Sequence, residues 1–187
     1  MNPNEESDLT NHPINETFEQ RGYITRHEWG ARPPIRVKKL VHPVPYVCIS
    51  YNDTTHPHSK EFIKQTQQAH IERGMWDIQS NFIVTIDGTL YEGRGWDIAP
   101  SRMFEKLAKY NGKFFEVSVL GRLPGPAKQD DPFFKEILTL ISYGMQSNKI
   151  SLSFEFIQDK EGLLMLDPAQ RHSLPPKEEE EIIPTPA

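Results

Sequence analysis

Apolar and polar positions along residues 23–156 alternate in a way that predicts a small set of elements. Asn81-Phe82-Ile83-Val84-Thr85-Ile86 is β-branched, with apolar residues at alternate positions, and Thr89-Leu90-Tyr91-Glu92 repeats the pattern after Asp87-Gly88. Two such runs around Asp-Gly predict a β-hairpin, and a type I′ turn there would need positive φ at both central residues. Tyr46-Val47-Cys48-Ile49 is almost continuously apolar, as in a strand covered on both faces. Phe115 to Leu120 predicts another strand, and Tyr23 to Arg26 a short one at the sheet edge. A helix is expected from an N-cap at Ser59 to about Arg73, with Phe62, Ile63, Thr66, Ala69 and His70 on one face and Gly74 as its stop. A second begins at Asp131-Pro132 and carries Phe134, Ile137, Leu138, Ile141 and Met145. The stretch from Phe154 to Leu166 is packable, but its period does not type it. The order strand, helix, hairpin, strand, helix predicts an α/β domain with helices on a mixed central sheet.

Composition narrows the picture at the ends. Residues 1–20 carry Glu5, Glu6, Asp8, Glu16 and Glu19 with no basic residue, and residues 177–187 carry Glu178 to Glu181 followed by Pro184-Thr185-Pro186. Such segments bury too little to offset chain entropy, so both are expected to be disordered around a folded unit at 21–176. Without them the chain is mildly positive, although the whole has a formal charge of −5. There is no basic run of the kind nucleic acid binding uses, so nucleic acid is not an expected partner. No stretch of 18 apolar residues suggests a membrane span, and no basic-then-apolar leader opens the chain. The one cysteine, Cys48, sits in an apolar run and reads as a small buried hydrophobe; alone it makes no intrachain disulfide. Asn15-Glu16-Thr17 and Asn52-Asp53-Thr54 have the form of glycosylation acceptors.

Three stretches carry a specific resemblance. They are Ile24-Thr25-Arg26-His27-Glu28-Trp29-Gly30-Ala31-Arg32-Pro33-Pro34, then Pro43 to Asn52, then the hairpin with its exit Gly93-Arg94-Gly95-Trp96. In order and spacing, from about Ile24 to about Ile150, they resemble the peptidoglycan recognition proteins, relatives of zinc-dependent N-acetylmuramoyl-L-alanine amidases. The resemblance implies a type 2 amidase-like fold, a groove for peptidoglycan fragments and a role in innate immunity.

The same resemblance shows where this chain departs. A zinc amidase needs three protein ligands and an open position. Where the family has its first histidine ligand this chain has Ser50; the two later ligand positions fall on Asp159 and Asp167. The catalytic tyrosine position is Ser80, and its supporting threonine position is Met165. His56, His58 and His70 are the remaining histidines near these stretches, two in a loop and one on a helix face, where packing is the usual role. The expected protein is therefore a non-catalytic member with no metal and no cofactor. Its groove candidates are Ser50, Tyr51, Asn52, Trp76, Ser80, Trp96, Asp97 and Arg102, where aromatic faces and short polar groups suit a glycopeptide. Phe114-Phe115-Glu116, where the family has small residues, is expected to fill part of that groove. The alternatives are a zinc amidase, or a pseudo-receptor acting only through a protein partner in immune signalling. Family resemblance implies an extracellular or ectodomain setting; the missing leader leaves an intracellular isoform open.

Overall fold

The computed structural model describes residues 22–56, 58–101 and 105–157. The acidic ends lie outside them, as do Arg102, Asp159, Met165 and Asp167. Five strands form one sheet: β1 Val44–Asn52, β2 Phe82–Thr85, β3 Leu90–Glu92, β4 Phe114–Leu120 and β5 Ile150–Phe156, in the order β3-β2-β4-β1-β5. The β2–β3 pair is antiparallel and the other pairings are parallel. Among the described residues three helices accompany the sheet: α1 Arg26–Trp29, α2 Lys60–Glu72 and α3 Pro132–Gln146, with a 3-10 turn at Glu105–Tyr110. The mixed sheet flanked by helices is the architecture the sequence predicts. Among the described residues no helix is long and apolar enough to cross a membrane.

Alternation along the strands sorts the two faces of the sheet. Val47 and Ile49 of β1, Phe82 and Val84 of β2, and Phe115, Val117 and Val119 of β4 point to one face. There they form the main core with Phe133, Phe134, Ile137, Leu140 and Ile141 of α3. Leu138, expected on that apolar face, is 51% exposed, because the buried stripe is centred on Ile137, Leu140 and Ile141. On the other face Ile83, Tyr91 and Leu120 pack with Ile63 of α2 and Trp29 of α1.

Local chemistry explains the element ends. Ser59 caps α2, its Oγ accepting from the Phe62 N–H at 3.2 Å. Thr25 shortens the expected edge strand to a single bridge between Ile24 and Tyr91. Its hydroxyl accepts from Glu28 N–H at 3.2 Å while Glu28 Oε2 accepts from Thr25 N–H at 2.7 Å, a capping box that starts α1 instead. The hairpin turn also differs from expectation. Only Gly88 takes positive φ (89°), Gly88 N–H donates to Thr85 O at 2.8 Å, and Thr85 N–H to Thr89 O at 3.0 Å. That is a wider connection ending in one left-handed residue, with Asp87 Oδ1 receiving Thr89 N–H at 3.1 Å. Of the untyped stretch Phe154 to Leu166, the first three residues close β5, which begins at Ile150 and runs parallel to β1; residues 158–166 lie outside the described residues.

Two buried polar centres fix the hairpin to the rest. Asn81 donates through Nδ2 to Gly95 O and Ile98 O, both at 2.7 Å, and its Oδ1 accepts Glu116 N–H at 2.8 Å. Gly93 approaches so closely that a Cβ there would lie 2.1 Å from Ser80 O, so only glycine fits. The second centre is Asp77, 1% exposed. Arg26 grips both its oxygens, at 2.9 and 3.2 Å, Gln67 Nε2 donates at 2.7 Å, Ile78 N–H at 2.7 Å, and the buried Arg94 lies at 3.3 Å.

Removing Asp77 leaves the Arg94 cation buried without its counter-charge. Asp77→Ala is expected to cost about 3–5 kcal/mol of folding free energy. Asp97→Ala removes an ion pair whose carboxylate is 65% exposed, and is expected to cost at most about 1 kcal/mol. Urea unfolding of both variants checks the contrast; equal losses would contradict it.

Candidate functional site

At the position of the implied first zinc ligand, β1 and β4 run in register, Ser50 opposite Ser118. Ser50 is 8% exposed. Its hydroxyl donates to Glu116 Oε1 at 2.9 Å and shares a hydrogen bond with Ser118 Oγ at 2.8 Å. Ser80, buried in the segment leading into β2, hydrogen-bonds the same Ser118 hydroxyl. Gln79 Nε2 donates to Glu116 Oε1 at 2.6 Å. Three serines, a glutamine and a fully buried glutamate thus form one connected polar floor on the α2 side of the sheet. Ser118 alone of its hydroxyl-bearing residues is half-buried rather than buried.

The floor joins Ser50 and Ser80, which the sequence singles out from separate motifs. It also enlists Ser118 and Gln79, which sequence reading passed over. Their signal was the polar alternation Glu116, Ser118 within the otherwise apolar β4. The expectation that Phe114, Phe115 and Glu116 would together fill the groove divides by face: Glu116 belongs to this floor, whereas Phe115 points to the α3 core.

Other candidates lie elsewhere. Tyr51 alternates with Ser50 and therefore faces the α3 side, where its hydroxyl accepts Leu123 N–H at 3.2 Å. Trp96 is also on that side: its ring stacks on Phe115 with centroids 4.7 Å apart, and packs against Phe82 and Tyr143. The structure therefore separates Tyr51 and Trp96 from Ser50 and Ser80 by the thickness of the sheet. Asn52 is exposed at the end of β1. Trp76, 36% exposed, donates its backbone N–H to Ser101 Oγ at 2.9 Å, and the Arg36 guanidinium lies over its ring. Asp97 is an exposed rim residue, 2.6 Å from Lys149 Nζ and 3.0 Å from His42 Nε2. The Lys149 hydrogen bond, with help from His42, holds its carboxyl below the usual carboxylate range. Arg94, one of two arginines near the exit loop, is in the Asp77 centre instead; Arg102 lies outside the described residues.

The histidines have separate structural surroundings. His56 stacks on Phe62. His58 lies against Gly121, at 2.8 Å from where a Cβ would be. His70 Nδ1 accepts Gln79 N–H at 3.0 Å, and burial, with Arg73 adding to it, pushes its pKa down despite the opposing pull of Glu116 and Asp77. A neutral His70 is thus an acceptor that orients Gln79 toward Glu116. Among the described residues no group of three His, Cys, Asp or Glu side chains converges to hold a metal ion. The second and third implied ligand positions, Asp159 and Asp167, lie outside the described residues.

No family model matches the chain. Among curated proteins it is similar to a peptidoglycan recognition protein of Trichoplusia ni, 24% identical over 158 residues that make up 80% of this chain and 82% of that one. It is 39% identical over 80 residues to peptidoglycan recognition protein 1 of Mus musculus, covering 40% of this chain and 44% of the mouse protein. The chain therefore spans less than half of that mouse relative. Among solved structures it is similar to peptidoglycan recognition protein LE in complex with tracheal cytotoxin. The TM-score there is 0.62 and the identity 27%, with 74% of this chain and 82% of that one covered. The three motifs in order, a shared fold and relatives of one kind in both comparisons point the same way: they support the peptidoglycan recognition protein family for this chain.

Proposed function

We propose that this chain is a recognition domain of innate immunity that binds a peptidoglycan fragment without hydrolysing it. The observation that carries the reading is the environment of Ser50. Zinc hydrolysis calls for nitrogen or sulfur donors in tetrahedral array with an open position for water. Ser50 offers a neutral hydroxyl instead, and that hydroxyl is already committed to Glu116 and Ser118. The residue at the first ligand position does not fit zinc. Ser80, at the implied tyrosine position, is equally committed to Ser118 and is too short and too buried to meet a scissile bond. Asp159 and Asp167 would add hard oxygen donors only.

Recognition asks less of the same place. The relative solved with tracheal cytotoxin holds a monomeric diaminopimelic acid-type peptidoglycan, and that ligand class is carried over here. Ser118, partly exposed, stands at the centre of a pre-formed polar floor. Asn52 stands exposed at the end of β1, with Trp76 as a further contact. Flat sugar and peptide groups are held by such a mixture of short polar side chains and an aromatic face. Because Ser50, Ser80, Ser118, Gln79 and Glu116 brace each other, little ordering accompanies binding, which limits its entropic cost.

Assay of the purified protein for bound zinc, followed by calorimetric titration of that protein, its metal content left as purified, with a monomeric diaminopimelic-type muropeptide, tests the reading. Saturable heats with a Kd of micromolar or tighter are expected, with no cleaved amide in the recovered ligand. Flat heats would leave protein contacts as the remaining activity; stoichiometric zinc together with released stem peptide would show an amidase.

Ser118→Phe places a ring over the floor and should weaken muropeptide binding at least about tenfold, close to 1.4 kcal/mol. Trp96→Ala should behave differently. It opens a cavity beside Phe115 and Tyr143 and is expected to cost about 3–5 kcal/mol of stability. Its affinity, measured at a temperature where the variant stays folded, should remain close to that of the parent. A Trp96→Ala variant that kept its stability but lost binding would put that ring in the groove.

A further inference from the structure

The segment between α1 and β1 crosses the surface as an exposed strap whose backbone is pinned at several points. Arg32 exchanges two hydrogen bonds with Gln67, both 2.9 Å. Ile35 N–H donates to Trp76 O at 2.8 Å, Arg94 Nη2 to Arg36 O at 2.9 Å, Ala99 N–H to Lys38 O at 2.7 Å and Leu40 N–H to Asp97 O at 2.8 Å. A backbone held this firmly presents its side chains in fixed positions.

Those side chains are unusual for a solvated surface. Ile35, Val37 and Val41 are 67%, 54% and 80% exposed. Between them stand Arg36, Lys38 and Lys39, all exposed, and among the described residues none of these three has a carboxylate partner. Three aliphatic groups and three cations without a carboxylate partner among the described residues, set on one rigid strap beside Trp76, match a segment that carries both acidic and aliphatic residues.

One such sequence exists in this protein. Residues 178–183 read Glu-Glu-Glu-Glu-Ile-Ile. The acidic residues of 1–20 are spread out, with no more than two adjacent. From Ile157, where the described residues end, about twenty residues lead to Glu178, and at about 3.3 Å each they reach any point on a domain of this size. Both partners share a chain, so their effective concentration is high and modest contacts suffice.

We propose that Glu178–Ile183 of this chain seats on the strap of residues 35–41, the glutamates against Arg36, Lys38 and Lys39 and the isoleucines against Ile35, Val37 and Val41. Seated there, the segment also covers the exposed edge of Trp76.

The test uses the full chain, isotopically labelled for amide NMR, beside a variant carrying E178Q, E179Q, E180Q and E181Q. At low salt the two spectra should differ at the amides of residues 35–41 and at the Trp76 indole. At about 1 M salt, where the screening length falls to about 3 Å, the differences should shrink strongly. A synthetic peptide of residues 177–187 added to the variant should move the same resonances saturably, and should do so less when Lys38→Gln and Lys39→Gln are also present. Coincident spectra over residues 35–41 at low salt, or changes confined to another surface, overturn the proposal. So does a strap that is indifferent to the glutamates and to the peptide but broadened by phosphatidylserine vesicles, which would identify a lipid surface as its occupant.

Discussion

A single buried carboxylate organises the periphery of this domain. Asp77 receives α1 through Arg26, α2 through Gln67, the hairpin exit through Arg94, and its own following turn through Ile78 N–H. Each of the three side-chain donors then holds something else. Arg26 reaches Gly93 O at 2.7 Å and Arg32 O at 2.8 Å, while Arg94 reaches Arg36 O. A charge removed from water at this depth is costly unless it is fully paired. The pairing here is what ties four segments distant in sequence into one arrangement. The strap, the Trp76 turn and the loop after β3 are therefore positioned by electrostatics, while the sheet beneath them is positioned by apolar packing.

That packing explains which candidate residues meet. On a central strand, neighbours in sequence belong to different worlds: Ser50 joins the polar floor while Tyr51 and Ile49 join the α3 core. The same alternation sends Glu116 and Ser118 to the floor and Phe115 and Val117 to the core. The ring of Trp96 follows Phe115. A glycine-rich exit loop carrying tryptophan has the composition of a binding rim, and composition alone is silent about which side of the sheet the loop folds onto. Asn81 decides it, by drawing Gly95 O and Ile98 O onto its side-chain amide.

Much of the scaffold was legible in the sequence because local rules and tertiary packing agree there. The β-branched runs became strands, Ser59 capped α2, and Pro132 opened α3. Legibility failed where a side chain competed with the backbone pattern. Thr25 and Glu28 capped a helix where apolar spacing suggested a strand, and Asp87 supported a wider turn than Asp-Gly usually makes. Of the site, Ser50 and Ser80 were readable as departures from family motifs. Their joint role was not, since it depends on the lateral register of β1 with β4, which no local pattern encodes. Gln67, an apparently ordinary helix glutamine, is fully buried for the same reason.

The polar floor shows how such a departure can be compatible with a stable fold. A serine buried on a central strand brings a hydroxyl that is destabilising if left unpaired. Glu116, on the adjacent strand, pairs with it, yet brings a carboxylate that must itself be satisfied. Gln79 and Ser50 donate to it, Ser118 takes up the remaining hydroxyl partnership with Ser50 and Ser80, and His70, kept neutral by burial, holds the Gln79 backbone. Each polar group is tolerable because of the next one. The set is therefore better understood as one connected network than as separate polar residues, and any single change within it should be felt by all the others.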